Sequence, residues 1–142
     1  MQLSYACFES GEAVSQLITA HLPCLKELVL EGSGLGNEGL IQLVKGKWRL
    51  LETLNLQNNR LGIHCPGVLL QADWPDLQQL NLSQNSLGPA AYQILGGPSK
   101  PLLGYGRNVF EGSRFVASQQ LCAKWPMLQC LDLSNHNGYS PE

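Results

Sequence analysis

The chain has 142 residues, a formal net charge of -2, 44% hydrophobic residues and only 14% charged ones. That composition describes a folded globular chain rather than a disordered tail. The near-neutral charge supplies no general field for DNA, RNA or an anionic membrane surface. No window reaches the roughly 18 consecutive apolar residues of a membrane-spanning helix, and the start MQLSYACFES lacks the basic and long apolar regions of a secretory signal. Five cysteines (Cys7, Cys24, Cys65, Cys122, Cys130) make an odd number without a C-x-x-C pair. Reduced thiols in a cytoplasmic protein are therefore expected, with neither nucleic acid nor membrane as a partner.

Leucine supplies 27 of the residues, and Gly 15 and Pro 8 punctuate its clusters. In chain order, EAVSQLITAHLP at 12–23 comes first; its Val14, Leu17 and Ile18 recur every three or four residues, as on the apolar stripe of a short helix. CLKELVLEGSGLG at 24–36 follows, with Leu28 and Leu30 on one face of a strand and the intervening residues facing out. EGLIQLVKGKWR at 38–49 then repeats the first segment, and Leu40, Leu43 and Val44 predict a second helix.

LLETLNLQNNRLG at 50–62 and DLQQLNLSQNSLG at 76–88 repeat the strand segment, each shifted by 26 residues. Leu25, Leu28, Leu30 and Leu35 thus correspond to Leu51, Leu54, Leu56 and Leu61, and to Leu77, Leu80, Leu82 and Leu87. A fourth clear copy, MLQCLDLSNHNG at 127–138, places Leu128, Leu131 and Leu133 in the same columns. Leu77 and Leu128 lie 51 residues apart, one short of two periods, which predicts a degenerate repeat over 101–124 between them. There Leu103 keeps the first leucine, but Gly106 and Asn108 stand where the second and third belong. The chain begins inside a unit and stops just after a strand. Residues 1–142 therefore read as a single domain of about 5.5 repeats, or as a truncated segment of a longer array.

One strand-turn-helix unit cannot bury both its apolar faces. Stacked units can, with strands in a parallel sheet and helices behind it. Helices are about 10 Å wide and strands lie about 4.8 Å apart, so the array bends with its sheet on the inner side. Asn59 and Asn85 fall just after their strands, where a buried amide can pair with turn backbone; Ser33 and His136 hold that column with weaker hydrogen bonding expected. Leu22, Trp48, Trp74 and Trp125 fill the column before each next strand and read as packing, with Lys100 in the degenerate unit.

L25-x-x-L28-x-L30, L51-x-x-L54-x-L56-x-x-N59-x-L61-G62 and L77-x-x-L80-x-L82-x-x-N85-x-L87-G88 resemble leucine-rich repeats. The helical return and N37-E38-G39-L40 resemble the ribonuclease-inhibitor-like class of that family. The resemblance covers about residues 12–136 and implies an α/β leucine-rich repeat solenoid. That solenoid would be a curved horseshoe segment, with parallel strands on the concave face and short helices on the convex face. It also implies a protein-binding scaffold of the kind seen among inhibitors, innate sensors and substrate receptors.

G34-L35-G36-N37-E38-G39 matches the glycine pattern of a dinucleotide loop, but Leu35-Gly36 aligns with Leu61-Gly62 and Leu87-Gly88, so the repeat already accounts for it. His21 with Cys24, and His64 beside Cys65, suit neither a metal nor a nucleophile without further partners. N81-L82-S83 sits mid-strand and reads as a chance glycosylation match. The basic run at 45–49 suits a helix end, where cations favour the dipole. No cofactor, metal or catalytic residue is expected.

The outward strand positions form columns across the repeats: Lys26, Glu52, Gln78 and Gln129; Glu27, Thr53, Gln79 and Cys130; Val29, Asn55, Asn81 and Asp132; Glu31, Gln57, Ser83 and Ser134. An acidic-to-neutral, amide-rich face of this kind is the candidate protein-binding surface. Two alternatives stay open. The chain could be a purely structural repeat segment without binding activity, or an enzyme with a site in the irregular 101–124 stretch, where Tyr105, Phe110 and Phe115 cluster.

Overall fold

A computed structural model describes residues 11–88, 91, 94 and 124–133. Its elements in chain order are α1 (Gly11–Thr19), β1 (Glu27–Val29), α2 (Gly36–Leu43), β2 (Thr53–Asn55), α3 (Cys65–Leu69), β3 (Gln79–Asn81) and β4 (Cys130–Asp132). The four strands form one parallel sheet in the order β1-β2-β3-β4. The register runs Leu28, Leu54, Leu80, Leu131 across it, so identical positions of successive repeats lie side by side.

This register is the one the leucines require. Leu28, Leu54, Leu80 and Leu131 are buried, as are Leu30, Leu56, Leu82 and Leu133 two residues on. Val14 and Leu17 of α1, Leu40 and Leu43 of α2 and Leu69 of α3 enter the same core, with Ile18 packed at its edge. A slip of one residue in any strand would turn its leucines to solvent. The helices pack beside one another, α1 on α2 and α2 on α3, behind the sheet. The result is the expected α/β solenoid segment: strands on the concave side, short helices on the convex side.

The turn after each strand is held by the repeat that follows it. Asn59 Oδ1 accepts from the backbone N–H groups of Ser33 (3.1 Å) and Leu35 (3.2 Å), and its Nδ2 donates to Leu30 O (2.8 Å) and Gln57 O (3.1 Å). Asn85 repeats this one unit on, accepting from Asn59 N (2.8 Å) and Leu61 N (3.1 Å) and donating to Leu56 O, Leu82 O and Ser83 O. Both asparagines are buried, so each amide satisfies groups that would otherwise be costly orphans. In the same column the Ser33 hydroxyl donates to Glu31 O at 3.4 Å. His136 lies outside the described residues.

The tryptophans stack directly, Trp48 on Trp74 at 6.3 Å and Trp74 on Trp125 at 6.4 Å, with ring planes 17° and 12° apart. Trp74 Nε1 donates to Gly46 O at 3.0 Å, while Trp125 Nε1 is buried without a partner. Gly46 is required where it stands, because a Cβ there would lie 2.7 Å from the Trp48 ring. Leu22 packs partly buried at the edge of the same core, and Lys100 lies outside the described residues.

The degenerate repeat expected over 101–124 falls, except for Lys124, outside the described residues, and β3 and β4 are neighbours in the sheet. These two strands pair directly, Gln79 with Cys130 and Asn81 with Asp132. Leu82 N donates to Asp132 O, and the Gln129 and Cys130 N–H groups donate to Gln78 O. The tryptophan stack is likewise unbroken. Equivalent residues are 26 apart from β2 to β3 but 51 apart from β3 to β4.

Candidate strand-face binding surface

Four parallel strands in strict register turn their outward positions into continuous columns. In the first, Lys26 Nζ lies 3.2 Å from Glu52 Oε1, one strand away, with both side chains well exposed. Gln78 and Gln129 extend that column, half-buried and exposed respectively. In the second, Glu27 and Gln79 are exposed while Thr53 and Cys130 are half-buried. Val29, Asn55, Asn81 and Asp132 in the third are all half-buried, as are Glu31 and Gln57 in the fourth.

The amides are fixed in orientation. Asn55 Oδ1 accepts from Gln57 N at 2.9 Å, and Asn81 Oδ1 accepts from Ser83 N, also at 2.9 Å. Each side-chain carbonyl is thus tied back to its own strand end, which directs the amide nitrogen away from it. Asn81 Nδ2 donates across the strands to Gln57 Oε1 at 3.2 Å. The ladder is therefore rigid and crosses from β2 to β3.

Ser83 differs from expectation. It is only 4% exposed, and its hydroxyl lies 2.6 Å from Asn81 Oδ1, so it buttresses Asn81 instead of facing a partner. Glu31 and Gln57, at the same offset after their strands, stay half-buried, so the difference lies in the short serine side chain, which folds back onto Asn81. Ser134 falls outside the described residues. The other expected positions, Lys26, Glu27, Val29, Glu31, Glu52, Thr53, Asn55, Gln57, Gln78, Gln79, Asn81, Gln129 and Asp132, come together on one face.

The enzyme alternative at 101–124 lies, except for Lys124, outside the described residues, and among those the glycine-rich turn and Cys65 are occupied structurally. In the glycine-rich turn at 34–39, the Leu35 N–H is taken by Asn59 Oδ1 and the Gly36 N–H by Asn59 O. Donors a phosphate would need are already committed to the next repeat. Cys65 is fully buried, and burial pushes its thiol far above the ordinary range, so the thiolate a nucleophile needs is disfavoured. His64, its neighbour in sequence, is exposed. Among the described residues no group of three or more His, Cys, Asp or Glu could hold a metal ion. The basic run behaves as helix-end chemistry, with Lys45 donating to Gln42 Oε1 and Arg49 paired with Asp73 at 3.3 Å.

A family model described as Leucine Rich repeat matches residues 21–44, and a second, described as Leucine Rich Repeat, matches residues 50–71. The two matches cover the β1 and β2 repeats. Neither the curated proteins nor the solved structures contain a match to the chain.

Proposed function

We propose that this leucine-rich repeat domain is a non-enzymatic protein-binding module that holds a protein partner against its strand face. The observation that carries the reading is the rigid outward amide ladder of Asn55, Gln57 and Asn81. It is set among exposed Lys26, Glu27, Gln79 and Gln129 on four strands in register. Rigid polar groups bind without a large ordering cost, and a solenoid face spreads them over a broad area. The helical return within a 26-residue unit and N37-E38-G39-L40 support placing the domain in the ribonuclease-inhibitor-like class. The free thiols of Cys24 and Cys65 support a reducing, cytoplasmic setting. No described helix is long and apolar enough to cross a membrane.

The test replaces Lys26, Glu52, Asn55, Asn81 and Asp132 together by alanine in the full chain. The reading expects partner capture from cell extract to fall while the far-ultraviolet circular dichroism stays that of the wild type. Undiminished capture by a folded variant would refute the surface.

A further inference from the structure

We propose that the turn edge of the solenoid, just past the strand face, grips a carboxylate side chain of the protein partner through Arg60, with the Gln84 amide beside it. This rests on the reading of the chain as a protein-binding module and adds two residues that no strand column contains.

Both positions stand out by backbone conformation. Gly32 and Gly34 flank the buried Ser33 with φ of 62° and 66°. One unit on, Asn58 and Arg60 flank Asn59 with φ of 54° and 59°, and Gln84 repeats the first of these positions with 57°. A positive φ presses Cβ against the backbone; glycine escapes this, and asparagine tolerates it better than most. Arginine and glutamine have no such ease. The first unit shows that glycine fulfils the turn at both positions, so the fold by itself asks for neither long side chain. Residues held against such a steric cost gather where their side chains are used. Nor can the turn relax. The N–H groups on either side of Arg60, those of Asn59 and Leu61, both donate to Asn85 Oδ1, at 2.8 and 3.1 Å.

Arg60 and Gln84 are exposed, and Asn58 directly follows Gln57 of the amide ladder, so this edge continues the proposed surface. Adjacent units lie about 4.8 Å apart, and residues two apart along the chain span at most about 7 Å. The Arg60 and Gln84 Cα atoms are therefore within about 8.5 Å, close enough for both side chains to meet one group. The anchored backbone decides what that group is. A phosphoryl group calls on several donors at once, commonly backbone N–H groups, and those of Asn58, Asn59, Leu61 and Ser86 already donate within the solenoid. A carboxylate carries one charge and two oxygens, which a single guanidinium fork matches in a bidentate pair. The occupant is thus an aspartate or glutamate of the partner.

The test is an NMR titration of the isotope-labelled full chain with an alternating glutamate-serine peptide, its arginine-serine counterpart and inorganic phosphate. The glutamate peptide is expected to shift the Arg60 Nε–H and Gln84 side-chain resonances saturably, less tightly at high salt, and the other two probes are not. Arg60→Gly, followed at the Gln84 resonances, is expected to weaken binding about fivefold. The same variant raises the urea midpoint of unfolding by about 0.5 M, because glycine releases the strain. Arg60→Ala keeps the Cβ and loses the same affinity without the gain in stability, which separates the guanidinium from backbone freedom. Gln84→Ala weakens binding about twofold. Lys47→Gln removes a positive charge from the return after α2 and leaves affinity unchanged. Unaltered affinity in Arg60→Gly, a urea midpoint that does not rise, or phosphate or arginine-peptide binding matching that of the glutamate peptide would overturn the proposal. If the glutamate peptide fails to bind while the strand-face alanine variant still loses its partner from extract, the carboxylate site is refuted and the strand face stands.

Discussion

Asn59 and Asn85 show how one side chain per repeat can carry the inter-repeat bonding. Each accepts two backbone N–H groups of the preceding turn and donates to carbonyls of the strands on either side, entirely out of water. Removing the amide strands all of these groups at once, and a buried orphan costs about 1–3 kcal/mol. Asn85→Ala is therefore expected to destabilise the domain by about 3 kcal/mol in urea unfolding followed by circular dichroism. A loss below about 1 kcal/mol would show that water or the neighbouring turns replace the amide. Ser33 already illustrates a weaker version, with its hydroxyl at 3.4 Å from Glu31 O. These two asparagines were readable in the sequence because a strict period puts them in one column after a strand. The burial of Ser83 was not, because Glu31 and Gln57 of the same column stay half-buried, and only the hydrogen bond of the short hydroxyl to Asn81 draws the serine in.

At the scale of elements, the leucine columns predicted strands, register and helix stripes, since each apolar side chain has one place to go. The relation of β3 to β4 escaped that logic. An excess of 25 residues is so close to one period that spacing alone cannot separate an inserted repeat from an excursion outside the sheet. Only the pairing shows that β3 and β4 are neighbours, with Gln79 beside Cys130 and Asn81 beside Asp132. Direct pairing has a covalent consequence. Gln79 and Cys130 are partners across β3 and β4, on the outward side of the sheet. Gln79→Cys is expected to form a disulfide with Cys130 under mild oxidation, identified by mass mapping of the unreduced peptides. A strand between them would hold the Cα atoms about 10 Å apart, beyond the roughly 7 Å limit for a disulfide, and no such bond would form.

For the whole molecule, the account separates two sides of one solenoid. The convex side is made of short helices whose apolar stripes are consumed by the core, and the turns beside them are consumed by the asparagine ladder. The concave side spends its leucines inward and leaves an ordered, amide-rich, acidic sheet face. The architecture was legible in the sequence because leucine periodicity reports burial directly. The occupant was less so, because amides and carboxylates are ordinary on any solvent-facing strand and gain meaning only once hydrogen bonds fix their direction. The most direct measurement places a photo-crosslinking residue at Gln79, exposed on β3, or at Gln71, exposed in the return after α3. After illumination in cell extract, the account predicts protein adducts from position 79 and none from position 71. Adducts from 71 with none from 79 would contradict it.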